Sequence, residues 1–390
     1  MNDKILKLDN YLKNSTIFFM YVFAIAMPFK IGLTQTSLGL ALLSWLGRII
    51  VTRQVKLQKI SLEWAFAVFI ASVILSLFFS TNVTQSFIFL KRLLLIPIVY
   101  LMALNTENKK LFERIAILFV ISVTLYSLSG IFSFISNPTL RVRHIQNSMT
   151  AGGITMIGSL AAMALAVVLK NMYIRIAFTL MCIFNVVCLV LTSTRGSWLG
   201  FLFGALLIIY YTNKKLIIAL IVLLPIIYFF GPENFSQRVQ HMFDPTWRTN
   251  AKRLAWWSVG WEIFKDHPLI GVGDVSTNKI YEKYAPPGTK ELIGHFHSNY
   301  VHIAVTLGGI GLLAFLFMII NIYIKLLCKF KKKAQDDIFK AWALAALSIF
   351  LAFNINGFFE WNYGDAEIIT IVWFATGLAL TVSRIKNAVV

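Results

Sequence analysis

Ile310-Gly311-Leu312-Leu313-Ala314-Phe315-Leu316-Phe317-Met318-Ile319-Ile320-Asn321-Ile322-Tyr323-Ile324 is an apolar stretch without a single charge, and Leu216 to Phe230 is another. Neither alternates apolar with polar positions over about ten residues, as a transmembrane barrel strand does. Neither carries the polar face that a helix on a soluble domain needs. Apolar stretches of about 17 to 22 residues, long enough to cross a bilayer as a helix, recur along most of the chain with short connectors. In lipid every backbone N–H and C=O must be satisfied within the protein, so a bundle of α-helices is the spanning solution left.

Working outward with about 20 residues per span, helices are expected near residues 15–33, 36–51, 61–80, 87–104, 112–135, 150–169, 174–191, 197–212, 215–230, 299–324, 339–358 and 366–383. The expected fold is all-α, a polytopic transmembrane bundle of about 12 spans. A long polar connector, Gly231 to Phe296, separates the ninth and tenth spans. It divides the chain into 1–230 with spans 1 to 9, 231–296 as an outer loop with an amphipathic helix, and 297–390 with spans 10 to 12. The first apolar segment lacks a strongly basic leader and is followed at once by another, so it reads as an uncleaved helix.

Composition agrees. The 390 residues are 58% hydrophobic and 14% charged, with a mean hydropathy of +0.74, whereas a soluble domain is about a quarter charged. The net charge of +19 would suggest nucleic acid in a soluble protein; in a membrane protein it first reports cytoplasmic loops held at anionic lipid. Nucleic acid is discounted on that ground, and membrane lipids are the expected neighbours. Cys182, Cys188 and Cys328 lie in or beside apolar segments, which indicates neither a disulfide framework nor a cysteine zinc site.

Alternate loops differ sharply in basic residues. One set carries Lys4, Lys7, Lys13, Arg48, Arg53, Lys56, Lys59, Lys109, Lys110, Arg114, Lys170, Arg175, Lys214, Lys215, then Lys325 to Lys340 and the tail residues Arg384 and Lys386. Short basic loops stay cytoplasmic, which puts both termini inside. Asn137 to Met149, Thr192 to Ser197, the long connector and Gly357 to Glu367 then lie outside. Arg141, Arg143 and Arg195 are charges where this rule disfavours them, and a guanidinium at the membrane surface needs an anionic partner or a headgroup to snorkel to. Lys91 and Arg92 also count as outward and read as anchors or as part of a site.

All six histidines, His144, His241, His267, His295, His297 and His302, fall on or near the outer face. Neutral imidazole is a natural general base for a sugar hydroxyl near pH 7, whereas arginine is not. No H-E-x-x-H or CxxC pattern points to a metal. Arg248 and Arg253 lead into a segment in which Trp257 and Trp261 share a helical face with Arg253. Such an amphipathic helix can lie at the interface and meet a lipid phosphate, or serve only as an aromatic anchor. Pro268 and Gly271-Val272-Gly273 end it in a turn, and the glycine pair is too short for a nucleotide-binding fingerprint.

His297-Ser298, followed after nine residues by Gly308-Gly309-Ile310-Gly311, is similar to a pattern of the O-antigen ligase and polymerase superfamily of bacterial membrane glycosyltransferases. Arg195-Gly196 resembles that family's Arg-Gly pair at the outer end of a span. Arg253, the Trp pair and His267-Pro268-Leu269-Ile270-Gly271-Val272-Gly273 resemble its Arg, Trp, His-Pro-Leu-x-Gly-x-Gly run. The resemblance implies about twelve spans and an active site facing the periplasm from a bacterial inner membrane. It implies that Arg195 and Arg253 hold the diphosphate of an undecaprenyl-diphosphate-linked glycan, and that His297 activates an acceptor hydroxyl, with lipid A core as the expected acceptor. Arg141, Arg143, His144, Arg248, His295, His302 and Trp257 are the expected substrate-binding residues. No metal and no cofactor is expected, since the chain has no Asp-x-Asp pattern and no acidic residue between Glu113 and Glu233. A single displacement would invert the anomeric centre. Ser298 stands where the family often has Asn, and His295 and His302 remain open as alternatives to His297 for the base.

Three other readings stay in view. A repeat-unit polymerase or a protein O-oligosaccharyltransferase would use the same donor, and a lipid or solute transporter would also be a basic bundle. A transporter places its ionisable groups near the bilayer midplane and often repeats its halves, whereas here the polar chemistry gathers at one face.

Overall fold

The computed structural model describes residues 3–53, 59–136, 141–142, 145–230, 233–242, 244–289, 293–332 and 336–381. Arg143 and His144, with Lys56, Lys333, Arg384 and Lys386, lie outside the described residues. Among the described residues the regular structure is entirely helical: α1 (Asp3–Ala26), α2 (Ile31–Thr52), α3 (Glu63–Phe78), α4 (Val83–Phe89), a 3₁₀ turn (Leu90–Leu95), α5 (Pro97–Asn105), α6 (Lys109–Ser136), α7 (Ser148–Val168), α8 (Met172–Leu191), α9 (Arg195–Tyr211), α10 (Leu216–Phe230), α11 (Glu233–Gln240), α12 (Arg248–Asp266), α13 (Asn278–Tyr284), α14 (Asn299–Lys331), α15 (Asp337–Asn356) and α16 (Ala366–Leu380). Among the described residues, six segments are long and apolar enough to cross a membrane: Val83–Asn105, α6, α7, α8, α14 and α15. Helices α3, α9 and α16 are apolar but shorter.

Several boundaries differ from the sequence expectation for local reasons. The first helix begins at Asp3 and ends at Ala26, not at residue 33, because Pro28 supplies no N–H and disfavours helical backbone in Met27. The span expected at 87–104 is broken by the 3₁₀ turn, and α5 restarts with Pro97 at its first position, where a missing N–H costs nothing. The tenth expected span continues to Lys331 and is bent at Gly308, whose φ of 67° lies outside the helical region.

The bundle is built around α7, α15 and α16, whose side chains are buried almost all round. A helix apolar on every face belongs inside a membrane bundle, and here Trp342, Trp373 and Phe374 fill the centre. Helix α9 approaches α15 closely through Gly196, Gly200 and Gly204, one turn apart. A Cβ at Gly200 would lie 2.7 Å from the Ala352 carbonyl, and one at Gly204 3.1 Å from that of Ser348. This is small-residue packing of membrane helices, and it brings the start of α9 against the end of α15.

Lys109 pairs with Asp336 at 3.1 Å and Lys170 with Asp337 at 3.2 Å, so the start of α6, the end of α7 and the start of α15 share one end of the bundle. At the other end Thr150 donates to Asp365 at 2.6 Å, and the Asn299 N–H donates to Gly357 O at 2.7 Å. The starts of α7, α9, α14 and α16 therefore meet there with the end of α15, away from Lys109 and Lys170.

The two glycine motifs lock together across this end. Val272 N–H and Gly273 N–H donate to the carbonyls of Val305 and Thr306, and Gly309 N–H and Ile310 N–H donate to those of Pro268 and Leu269, all within 3.1 Å. Gly271 and Gly308 both have positive φ, and a Cβ at either would lie within 2.5 Å of backbone atoms of the other segment. Both motifs are thus a backbone clasp between the segment after α12 and the bent α14. We expect Gly271→Ala and Gly308→Ala each to destabilise the purified protein by about 3 kcal/mol or more, since strain and overlap act together. Gly288→Ala, at φ 84° but in open space, is the control and should cost only about 1–2 kcal/mol. Thermal unfolding followed by tryptophan fluorescence checks this.

Candidate functional site

Arg195 is the first residue of α9, behind a sharp turn in which Ser193 takes φ 54°. Its side chain is buried, and its guanidinium finds neutral acceptors: His241 O at 3.0 Å, Thr249 Oγ1 at 2.8 Å and Asn250 Oδ1 at 2.6 Å. Asn250 is the hub of this arrangement. Its Nδ2 donates to the carbonyls of His241, Met242 and Asp244, which wraps the turn between α11 and α12 around the arginine. His241 adds a stack on Trp247, ring centroids 4.1 Å apart, and a contact to Asp244 at 3.2 Å. Asn250→Ala removes one of the guanidinium's three acceptors, and the ties to the turn, while leaving the guanidinium in place. We expect kcat to fall about 10- to 100-fold, as misplacement by about 1 Å does, while the fold persists; steady-state kinetics with a circular dichroism control checks both.

Arg195 opens onto a cavity of about 170 Å³ shared with Arg141, Arg238, Arg253 and Glu360. Among the described lining residues, Arg195, Arg238 and Arg253 share this cavity with one carboxylate, and Arg141 stands in the same wall. Arg253 Nη2 is 3.9 Å from Glu360 Oε2. Burial pushes the Arg253 guanidinium below its usual range; Glu360 opposes that shift and Arg238 adds to it. Arg238 is likewise lowered by burial. All remain cations, because arginine starts from so high a value. The excess of buried positive charge calls for an anionic partner.

On the other side of Glu360 lies a larger cavity of about 420 Å³, lined among others by His295, His297 and His302. His297 takes φ 47°, a backbone region that histidine visits more readily than most residues but at a cost of about 1–3 kcal/mol. Neighbours hold it there. Trp257 Nε1 donates to Phe296 O at 2.9 Å, and Trp256 stacks on the imidazole with ring centroids 4.8 Å apart. His297 Nδ1 lies 3.1 Å from Glu360 Oε1. Asn299 accepts from Tyr363 N–H and donates to Asn362, which ties the start of α14 to the loop carrying Glu360.

Burial alone would raise the Glu360 carboxyl, but its hydrogen bond to His297 and the charges of His297, His295 and Arg253 outweigh that and hold it below its usual range. An ionised Glu360 accepts Nδ1–H, which leaves His297 Nε2 with its lone pair as a proton acceptor. His295 is pushed down to about 4, first by burial and then by His297, against the opposing pull of Glu360. It is therefore neutral at pH 7. Its Nδ1 accepts from the His297 N–H at 3.3 Å.

The expected site residues distribute as follows. Arg195, Arg253 and Arg141 line the smaller cavity; His295, His297 and His302 line the larger one. Arg248 is exposed and lines neither. Trp257 anchors the histidine loop and Trp261 is 58% exposed, so the stacking partner of His297 is Trp256. Arg92 pairs with Asp274 at 2.9 Å at the wall of the larger cavity. The sequence reading did not single out Glu360, Arg238 or Asn250. The available signal for Glu360 was its place in a short connector, Gly357 to Glu367, that carries acidic residues and no basic one.

His295, His297 and Glu360 offer ligand atoms within 4.8 Å of one another, a set that a metal ion could bridge. In this arrangement His297 Nδ1 is committed to Glu360 and His295 Nδ1 to the His297 N–H.

The comparison with curated proteins finds no match. Residues 178–316 match the family model described as O-antigen ligase, a segment that holds Arg195, Arg253 and His297 and ends before Glu360. Over that segment, about a third of its length, the chain is similar to the O-antigen ligase family.

Proposed function

We propose that the chain is an O-antigen ligase, which transfers an undecaprenyl-diphosphate-linked glycan to a sugar hydroxyl of lipid A core at the periplasmic face of a bacterial inner membrane. The observation that carries this reading is the cavity in which, among the described residues, Arg195, Arg238 and Arg253 stand around one carboxylate. A diphosphate supplies the missing negative charge. Its charge also grows as the glycosyl–phosphate bond breaks, so fixed guanidinium groups stabilise the transition state more than the bound donor. The proposed topology is that of the sequence reading, twelve spans with cytoplasmic termini and the connector 231–296 outside.

In the proposed reaction the acceptor hydroxyl loses its proton to His297 Nε2 while its oxygen forms the new bond to the anomeric carbon. The bond from that carbon to the phosphate oxygen breaks, and the lipid diphosphate leaves with the electron pair. Glu360 orients the imidazole and stabilises the imidazolium that forms, as a carboxylate does for a catalytic histidine. One displacement inverts the anomeric configuration.

Purified protein with a defined lipid-diphosphate glycan and lipid A core tests this. Transfer to the core, in the presence of EDTA and with inverted configuration, is the expected result. Growth of the glycan on its own lipid carrier would make the chain a repeat-unit polymerase. Loss of activity on chelation, restored by added zinc, would reassign the His295–His297–Glu360 cluster.

A further inference from the structure

The two cavities share Met149, Asn356 and Glu360 in their walls and differ in chemistry. The smaller is cationic. The larger has one guanidinium among its described lining residues, that of Arg92, whose Nη1 lies 2.9 and 3.0 Å from the two oxygens of Asp274. Its carboxyl groups are those of Glu360, paired with His297 and Arg253, and of Asp365, which burial pushes up to about 7.

Given the glycosyl-transfer reading, on which this inference rests, we propose that the larger cavity seats the acceptor sugar and selects an uncharged ring, recognised by Asp365, Trp361 and His302. Asp365 Oδ2 accepts from Thr150 at 2.6 Å, and Oδ1 accepts from the Glu367 and Ile368 N–H groups, so the carboxyl is fixed in the wall. His302 is 2% exposed and its Nδ1 has no hydrogen-bond partner. A buried polar atom left unsatisfied calls for a ligand group. A sugar hydroxyl suits all of these groups, since it can donate to a carboxylate and either donate to or accept from an imidazole. The Trp361 ring, 4.1 Å from that of His302, adds an aromatic surface in the same wall. At 420 Å³ the space falls in the usual range for small-molecule pockets, about 300–1,000 Å³.

The consequence is discrimination by charge. A phosphorylated sugar or a uronic acid would have to desolvate its negative group in a cavity whose one guanidinium, among the described lining residues, is already held by Asp274, and a charge buried without its own partner is costly. The donor diphosphate is sorted to the opposite side of Glu360 by the same electrostatics.

Binding separates this inference from the reaction itself. The full chain in nanodiscs would be titrated with methyl glucoside, methyl galactoside and methyl N-acetylglucosaminide against glucose 6-phosphate and methyl glucuronide, read by saturation-transfer NMR. At least one neutral glycoside should bind saturably and about tenfold or more tighter than either anion, a difference of about 1.4 kcal/mol. Asp365→Asn and Thr150→Val should each weaken the neutral probe about threefold or more, while binding of lipid diphosphate is unchanged. Equal or tighter binding of the anions, no saturable neutral binding, or no effect of either substitution would overturn the assignment. Loss of lipid-diphosphate affinity in the wild type would instead count against the proposed function and leave the sugar measurement standing.

Discussion

His297→Ala is expected to lower kcat by about 10³-fold or more, the scale of losing a positioned general base together with its orientation, while the affinity for lipid diphosphate stays within about twofold of wild type. The reason lies in the division of the site. His297 faces the larger cavity, whereas the guanidinium groups line the smaller one, and Glu360 stands between. Glu360→Gln should reduce kcat about 10²-fold or more with little change in KM, because an amide can offer its N–H to Nδ1 and select the wrong tautomer. Single-turnover transfer with radiolabelled donor, run beside equilibrium binding, separates the two effects. Activity retained in His297→Ala would move the base to His295 or His302.

The second large effect is expected at the arginines. Arg195→Ala and Arg253→Ala should each cost about 10²–10³ in kcat, as loss of one donor to a developing oxyanion does. Lysine should restore little at Arg195, whose three hydrogen bonds run from two guanidinium nitrogens in a geometry that an ammonium cannot copy. The double variant should fall short of the product of the single effects, because both residues act on one diphosphate. Arg253→Ala carries a further consequence: Glu360 loses its neighbouring cation at 3.9 Å and keeps His297. Kinetics of the two single variants and the double variant give the coupling directly.

The helical, membrane-spanning character of the chain was legible because apolar runs such as Ile310 to Ile324 can satisfy their backbone only as helices. The polar end could be read too, since Arg195, Arg253 and His297 stand out as polar chemistry between apolar segments. What joins them was not legible. His297 and Glu360 are 63 positions apart, and no periodicity within one helix reports a contact between α14 and the loop after α15. Helix rotation was equally hidden: spacing places Trp257 with Arg253, but it is Trp256 that stacks on His297, while Trp257 holds the Phe296 carbonyl. Arg238 and Asn250 had no sequence signature, because their role comes from the way α11 and α12 fold back over Arg195. The glycine motifs were visible as turns, but their shared function as a backbone clasp requires that two segments 37 residues apart at Gly271 and Gly308 meet face to face.

The most direct measurement is equilibrium binding of undecaprenyl diphosphate to the purified chain in nanodiscs, with EDTA present and undecaprenyl monophosphate as the comparison. Saturable binding about tenfold or more tighter for the diphosphate, and weakened about 100-fold in the Arg195→Ala, Arg253→Ala double variant, is the predicted outcome. Equal affinity for the two lipids, or an affinity untouched by removing both guanidinium groups, would contradict the assignment of that cavity.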